Sequence, residues 1–142
     1  MTSFVYPVWL EAQADGGFVV HIRDFFDAAT QGDDRAGALR AAADSIGNWI
    51  DMLVGDGETV PTPSEAQANE VLVAAPLDAA VLALMHGRMR ELGISKSELG
   101  RRMGKDERQV RRLLDPHHGT RLKTARAALD ALGIEVSLGV AA

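Results

Sequence analysis

ISKSELGRRMGKDERQVRRLL, the stretch from Ile94 to Leu114, has the layout of two short helices separated by a glycine. Ser95 is a favourable helix N-cap, and Glu98 three residues later predicts a capping box. Gly104 marks the end of the first helix, because glycine readily adopts the left-handed backbone of a helix terminus. Asp106 is placed to cap the second helix, since its carboxylate accepts hydrogen bonds from the free N–H groups there. The stretch therefore predicts a helix-turn-helix.

The second of these helices has an apolar side and a charged side. Spacings of three and four place Val110, Leu113 and Leu114 on the apolar side. The charged side carries Glu107, Arg108, Arg111 and Arg112. Arginine can donate two hydrogen bonds to guanine in the major groove and can also bind phosphate. The pattern favours a DNA-reading helix, although an antiparallel helix pair with a solvated basic face has the same pattern.

Nine residues are the candidates for DNA contacts. Arg108, Arg111 and Arg112 are predicted to reach base edges or phosphates, and Glu107 to contact cytosine. Phosphate contacts are predicted for Lys96, Arg101, Lys105, Arg121 and Lys123. The run SELGRRMGKDERQV resembles the helix-turn-helix of phage repressors. That family usually has alanine where Gly100 stands, and we expect either small residue to let the two helices approach closely.

The charge of the chain is divided unevenly. The chain has 142 residues, a length that suits one ordinary domain or two small ones. Its net charge is −5. Residues 1–76 hold twelve acidic and three basic side chains, a net charge of −9, whereas residues 77–142 hold twelve basic and eight acidic, a net charge of +4. The basic part suits DNA phosphates, and the acidic part suits a basic protein partner.

Several classes of protein are excluded by pattern. No run of eighteen apolar residues is present, so no transmembrane helix and no membrane partner are predicted. The N-terminal residues lack a basic segment followed by an apolar one, so no signal peptide is predicted. The absence of cysteine excludes disulfides, thiol catalysis and cysteine-based zinc sites. This composition fits a cytoplasmic protein.

Residues 1–76 follow the order β-β-β-α-β. Strands are predicted at Phe4–Leu10, Phe18–Arg23, Ala28–Thr30 and Val71–Ala75, with a helix from Asp33 and Asp34 to Gly55. Because Pro7 lacks an N–H, its strand is predicted to lie at a sheet edge or to pair on one side at that residue. The helix repeats apolar residues at Leu39, Ala43, Ile46, Ile50 and Leu53, which predicts the face that covers the sheet.

Residues 77–142 are predicted to be mostly helical. A helical stripe of Val81, Leu84, Met85, Met89 and Leu92 precedes the central pair, and a last helix starts at Thr120 or Arg121, with Ala125, Ala128, Leu129 and Leu132 inward. Glu135–Val140 alternates like a strand and would need a partner, for which the same strand of a second copy is the candidate. We therefore expect a homodimer or higher homo-oligomer. The two parts together predict an α+β chain with a domain boundary between residues 76 and 77.

Four motifs in the first part are similar to those of HicB antitoxins. They are YPVWLE, DGGFVVH, ATQGDD followed by an alanine-rich helix, and TVPTPS, and the resemblance covers residues 3 to 76. It implies a degenerate RNase H-like or dsRNA-binding-like fold that neutralises HicA, a small basic toxin that cleaves mRNA. A repressor-like segment is one known extension of this family, which implies an antitoxin that represses its own operon. The family often has Pro-Gly-Cys where Asp27-Ala28-Ala29 stands, and no motif assigns the toxin contacts.

Other candidate sites have simpler interpretations. Asp115, His117 and His118 are predicted to serve a loop or the DNA backbone, because neighbouring side chains rarely ligate one metal ion. Asp24, Asp27, Asp33 and Asp34 are interpreted as turn acids and helix caps, and His86 as a surface residue. His21 has no evident activating partner. The aromatic residues Tyr6, Trp9 and Trp49 are either core residues or partner-binding anchors.

The sequence accordingly predicts a protein with no catalytic residue, no metal and no cofactor. Two alternatives remain open at this point. One is a stand-alone transcriptional repressor whose acidic N-terminal domain senses a ligand. The other is an enzyme that uses the N-terminal carboxylates with a metal ion.

Overall fold

A computed structural model describes residues 1–140. The chain divides into two compact units, of which the first is Met1–Ala80 and the second begins at Val81. The first unit holds an antiparallel sheet and a long helix, whereas the second is built from helices. The predicted α+β class is confirmed.

Nine elements follow one another along the described residues. The first unit contains β1 (Val5–Ala12), β2 (Phe18–Ile22), β3 (Ala28–Gly32), α1 (Arg35–Gly55) and β4 (Glu70–Ala74). They are followed by α2 (Leu77–Leu92), α3 (Lys96–Met103), α4 (Glu107–Leu113) and α5 (Leu122–Ala131). The β-β-β-α-β order is confirmed, with element ends within two residues of the predicted ones.

The sheet places β1 in its interior, between β2 and β4. The strand order is β3-β2-β1-β4, so the prediction of an edge position for the strand that contains Pro7 is wrong. The alternative, pairing on one side, is right. Pro7 pairs with Leu72 of β4, whereas the pairing of β1 with β2 begins at Trp9. The missing N–H of Pro7 thus falls where β1 has a hydrogen-bonded neighbour on one side only.

One face of the sheet packs against α1. Tyr6, Val8, Val20 and Ile22 are fully buried there, as the alternation of strand side chains requires. The buried residues of α1 include Ala38, Ala42, Ile46, Ile50 and Leu53. The predicted stripe is therefore wrong in its first half, because Leu39 and Ala43 are only half-buried. Small alanine side chains at the start of α1 let the helix lie close to the sheet.

The connection between α1 and β4 is held by side-chain hydrogen bonds. The Tyr6 hydroxyl donates to the Pro61 carbonyl at 2.8 Å. The Asp24 carboxylate accepts from the backbone N–H of Ser64 at 2.8 Å and from its hydroxyl at 2.6 Å. Burial, together with the nearby Asp24 carboxylate, raises the pKa of Tyr6 to about 12. These bonds fix an extended, proline-containing segment against the sheet.

The second unit buries a small core between its helices. Leu99, Val110, Ala128 and Leu132 are almost fully buried, and α3 packs against α4 and α5. The inward residues predicted for α5 are confirmed. The stripe predicted for α2 is correct only at Met85 and Met89; Leu82 is buried in addition, Val81 and Leu84 are half-buried and Leu92 is exposed.

The strand predicted at Glu135–Val140 is absent. Residues 135–140 form no helix or strand, and Val136, Leu138 and Val140 are exposed. A strand needs a hydrogen-bonded neighbour, and the elements of the second unit are helices. The alternating pattern therefore has no strand beside it in one copy of the chain.

Candidate functional site

The helix pair α3–α4 is held by caps at both N-termini. The Ser95 hydroxyl accepts from the Glu98 backbone N–H at 3.1 Å, so the predicted cap is confirmed. The capping box predicted there is wrong, because the Glu98 side chain forms ion pairs with Arg101 and Arg102 instead. A capping box is found at the next helix. Asp106 accepts from the N–H of Gln109 at 2.8 Å, and the Gln109 side chain accepts from the N–H of Asp106 at 3.0 Å.

The turn between α3 and α4 is tight. Gly104 lies in the left-handed region at φ 68°, and the Lys105 N–H donates to the Gly100 carbonyl at 2.8 Å. A Cβ at Gly100 would lie 2.6 Å from the Lys105 carbonyl oxygen, which is closer than real Cβ contacts. The expectation that alanine would serve equally well at Gly100 is therefore wrong for this turn. This close approach fixes the angle at which α4 leaves the turn.

The outer side of the pair is basic. Lys105 is half-buried, and the other eight of the nine predicted residues are exposed. The exposed ones are Lys96, Arg101, Glu107, Arg108, Arg111, Arg112, Arg121 and Lys123. The Arg101 guanidinium pairs with Glu98, and Glu107 accepts from the Ser97 hydroxyl at 3.3 Å. Within residues 1–140, the structure gives no ion pair to the three arginines of α4. Their guanidinium groups thus project from a fixed helix without an acceptor among the residues that the structure describes.

Arg102 belongs to the same basic surface and was missed by the sequence analysis. It is exposed on α3, and its Nε lies 3.3 Å from Glu98 Oε1. Its spacing of four from Glu98 was the available signal, because residues four apart are neighbours on a helix. The pair leaves Arg101 and Arg102 sharing one carboxylate.

His86 supports the far end of α4. Its Nε2 donates to the carbonyl of Leu114, the residue that ends α4, at 2.9 Å. Burial lowers the pKa of His86, and the nearby Lys96 and Arg90 lower it further, against the opposite effect of the hydrogen bond. The interpretation of His86 as a surface residue is therefore wrong: it is half-buried and holds the helix end.

The remaining candidates occupy varied positions. Asp34 caps α1 by accepting from Gly37 N–H at 2.7 Å, and Asp115 accepts from His117 N–H at 2.8 Å, as expected for helix-cap and loop roles. No group of three His, Asp or Glu side chains within residues 1–140 is placed to hold a metal ion. Among the aromatic residues, Tyr6 is core, Trp49 is half-buried and Trp9 is 42% exposed.

Trp9 lies on the sheet face that α1 does not cover. Its ring stacks on that of His21, with centroids 4.8 Å apart and an interplanar angle of 23°. His21 Nε2 lies 2.8 Å from a carboxylate oxygen of Glu11. An open cleft of about 500 Å³ lies beside the stacked pair. The first unit thus has an aromatic and acidic surface of its own.

Comparison with known proteins identifies the family. Residues 5–83 match the family described as the HicB_like antitoxin of bacterial toxin-antitoxin systems. The chain belongs to the HicB-like antitoxin family. Antitoxin HicB of Escherichia coli (strain K12) is 35% identical over 133 residues, which are 94% of this chain and 96% of that protein. Antitoxin HicB 1 of Photorhabdus laumondii is 33% identical over 135 residues, covering 95% and 86%. Antitoxin HicB of Pseudomonas fluorescens (strain Pf0-1) is 34% identical over 143 residues, covering 99% and 97%.

The resemblance of residues 3 to 76 to HicB antitoxins is therefore confirmed. The chain is an antitoxin, its role is not enzymatic, and its family implies a toxin as partner. Within residues 1–140, no helix has both the length and the apolar character needed to cross a membrane.

Proposed function

We propose that this antitoxin neutralises a HicA-type ribonuclease toxin and represses its own operon. Residues 1–76 bind the toxin and occlude its mRNA-cleaving site, while residues 77–142 bind operator double-stranded DNA. The observation that carries the DNA-binding half is the rigid α3–α4 pair, with three arginines on α4 that have no acceptor among the described residues. Both activities place the protein in the cytoplasm, where mRNA and operator DNA are found.

The α3–α4 pair functions as a helix-turn-helix, with α4 in the major groove. Arg108, Arg111 and Arg112 reach base edges or phosphates, and Glu107 accepts from cytosine. Phosphate contacts come from Lys96, Arg101, Lys105, Arg121 and Lys123 around that helix. The tight turn at Gly104 and the His86 bond to the end of α4 support this role, because a reading helix must be held in one orientation.

Toxin binding by the first unit is supported by family and by charge. The family implies a toxin partner, and residues 1–76 carry a net charge of −9, which complements a basic protein. If the free antitoxin and its toxin complex fit the operator differently, linkage couples toxin binding to operator binding. The toxin then acts as a corepressor or a derepressor, according to which assembly fits the operator better.

The DNA-binding half is tested by gel-shift titration of the full chain on the promoter of its own operon. We expect Arg112→Ala to cost about 1–3 kcal/mol of specific binding, because one good base contact is worth that much. Arg126→Ala is the matched control: it removes the same charge from an exposed position on α5 that lies outside the predicted set. Unchanged affinity for Arg112→Ala would refute that assignment.

The toxin-binding half is tested by co-expression. The full chain is expressed with the small open reading frame that lies beside its gene, and the complex is purified through the antitoxin. We expect a basic protein to co-purify and its toxicity to disappear. A neighbouring HicA-type toxin that stays fully toxic in the presence of the antitoxin would contradict the proposal.

A further inference from the structure

A cleft on the outer face of the sheet contains a carboxylate, that of Asp27, without an ion pair among the described residues. It is lined by Trp9, His21, Arg23, Asp27, Asn69 and Glu70 among others. Arg23 pairs with Glu70 at 2.7 Å and also donates to the Glu65 carbonyl. Glu70 accepts in addition from the N–H of Gln67. This pair therefore has its hydrogen bonds satisfied inside the protein, whereas the Asp27 carboxylate is exposed and has no ion pair within residues 1–140.

Asp27 is held at the cleft by a strained turn. The N–H of Ala28 donates to the Phe25 carbonyl at 3.0 Å, and the two residues between them, Phe26 and Asp27, have φ angles of 58° and 54°. Two positive φ angles in this position are typical of a type I′ turn, in which Gly, Asn and Asp are the common residues. Asp27 therefore fits this backbone, whereas Phe26 is strained, and such strain is commonly kept near functional side chains.

The other wall of the cleft offers an aromatic face. Trp9 is 42% exposed although one side of its ring stacks on His21. Glu11 binds His21 at 2.8 Å and adds a second exposed carboxylate next to the stack. An exposed indole beside carboxylates attracts a cation, because the face of the ring is electron-rich. Arginine and lysine have the shape and charge for such a site.

We propose that this cleft binds an arginine or lysine side chain of the toxin. The cation stacks on Trp9 and pairs with Asp27, which makes the outer sheet face the toxin-docking surface. This assignment rests on the proposed function, in which the first unit binds the toxin. A basic protein is the occupant that the charge favours, because residues 1–76 carry a net charge of −9.

The test uses the full-length antitoxin and the co-purified toxin, inactivated in its own active site so that both express. Asp27→Asn removes the charge but keeps a side chain that tolerates a positive φ, so the variant should fold. We expect its Kd for the toxin to rise about tenfold, the effect of losing one well-placed ionic contact. Trp9→Leu should weaken binding by a similar factor, and Trp9→Phe by less. Asp44→Asn, an equal charge change at an exposed position of α1, should leave Kd within about twofold.

A fluorescence measurement locates the contact directly. Replacing Trp49 by Phe leaves Trp9 as the only tryptophan of the chain. Acrylamide should quench Trp9 in the free antitoxin and should quench it less in the complex with a tryptophan-free form of the toxin. Unchanged quenching, or toxin binding by Asp27→Asn and Trp9→Leu that equals wild type, would overturn the cleft while leaving the antitoxin function intact. Failure of wild type to bind the toxin would instead overturn the proposed function, and the cleft with it.

Discussion

Tyr6 joins the sheet core to the connection that precedes β4. Its buried hydroxyl donates to the Pro61 carbonyl at 2.8 Å. We expect Tyr6→Phe to lower the free energy of unfolding by about 1 kcal/mol, the usual net worth of such a bond. Urea unfolding near neutral pH measures the change. Val8→Ala, which removes buried carbon instead of a hydroxyl, should cost more than this.

The same tyrosine makes stability depend on alkaline pH. Its pKa is raised from 10.0 to about 12 in the folded protein, so the folded state keeps its proton more firmly than the unfolded state. The stabilisation is complete below the unfolded pKa of 10.0 and is lost as the pH rises toward 12. Tyr6→Phe should therefore lose less stability than wild type across that window. Parallel pH profiles for the two proteins would contradict this origin.

His86 makes the protein less stable at acidic pH, whereas Tyr6 makes it less stable at alkaline pH. Burial lowers the pKa of His86 below the usual 6.5 of a histidine, so the unfolded chain takes up a proton first. Stability should be complete above 6.5 and should fall as the pH drops toward the folded pKa. His86→Gln can still donate to Leu114 but does not titrate, so its unfolding profile should be flatter in that window. His117→Gln, at an exposed loop position, should keep the wild-type profile.

At the scale of elements, periodicity and caps predicted most of the fold. The β-β-β-α-β order and the caps at Ser95 and Asp106 follow from local chemistry, which the sequence displays directly. The errors arise where a residue's burial or a strand's position depends on residues that are distant in the sequence. Ala38 rather than Leu39 faces the sheet, because the close packing of α1 selects small side chains, and hydrophobicity alone ranks leucine higher. The edge position predicted for the β1 strand was wrong because proline restricts pairing at one residue and not along a whole strand.

The candidate site likewise has parts that the sequence predicted and parts that it did not. The exposed arginines of α4 were predictable, because helical spacing separates them from Val110 and Leu113. The cleft at Trp9 was not, because its walls come from β1, β2, the turn at Asp27 and the segment before β4. The role of His86 was hidden for the same reason: its acceptor Leu114 is 28 residues away.

The turn between α3 and α4 gives a test of element geometry. In Gly100→Ala, the added methyl meets the Lys105 carbonyl oxygen at 2.6 Å, so α3 and α4 must move apart. We expect a loss of about 1–3 kcal/mol of stability, the usual cost of overpacking, together with weaker operator binding. Gly87→Ala is the matched control, since a Cβ at that α2 position meets nothing within 4 Å. It should raise stability by about 0.5–1 kcal/mol. Equal effects of the two changes on urea unfolding would show that the close approach is unimportant.

At the scale of the whole molecule, charge divides the chain into an acidic part and a basic part, which suit the two proposed partners. A net charge of −5 disfavours DNA binding if it is spread evenly, but here the acidic and basic side chains lie in different parts. The candidate contacts for toxin and for DNA also lie in different units. Substitutions at Asp27 and at Arg112 should therefore each weaken one partner and spare the other. Any effect of toxin binding on operator affinity would then come from how the antitoxin and toxin assemble, and not from contacts that the two partners share.

The exposed C-terminal segment completes the proposal of a homodimer. Val136, Leu138 and Val140 alternate along residues 135–140, and Leu138 is 73% exposed in the single chain. We propose that the same segment of a second copy supplies the missing strand neighbour, so that a two-fold dimer would present two α4 helices to one operator. Leu138→Asp should halve the mass seen by sedimentation and weaken operator binding at least about tenfold, because one half-site is lost. Ser137→Asp adds the same charge on the other side of the segment and should keep the dimer. A dimer that survives Leu138→Asp would move the interface elsewhere on the chain.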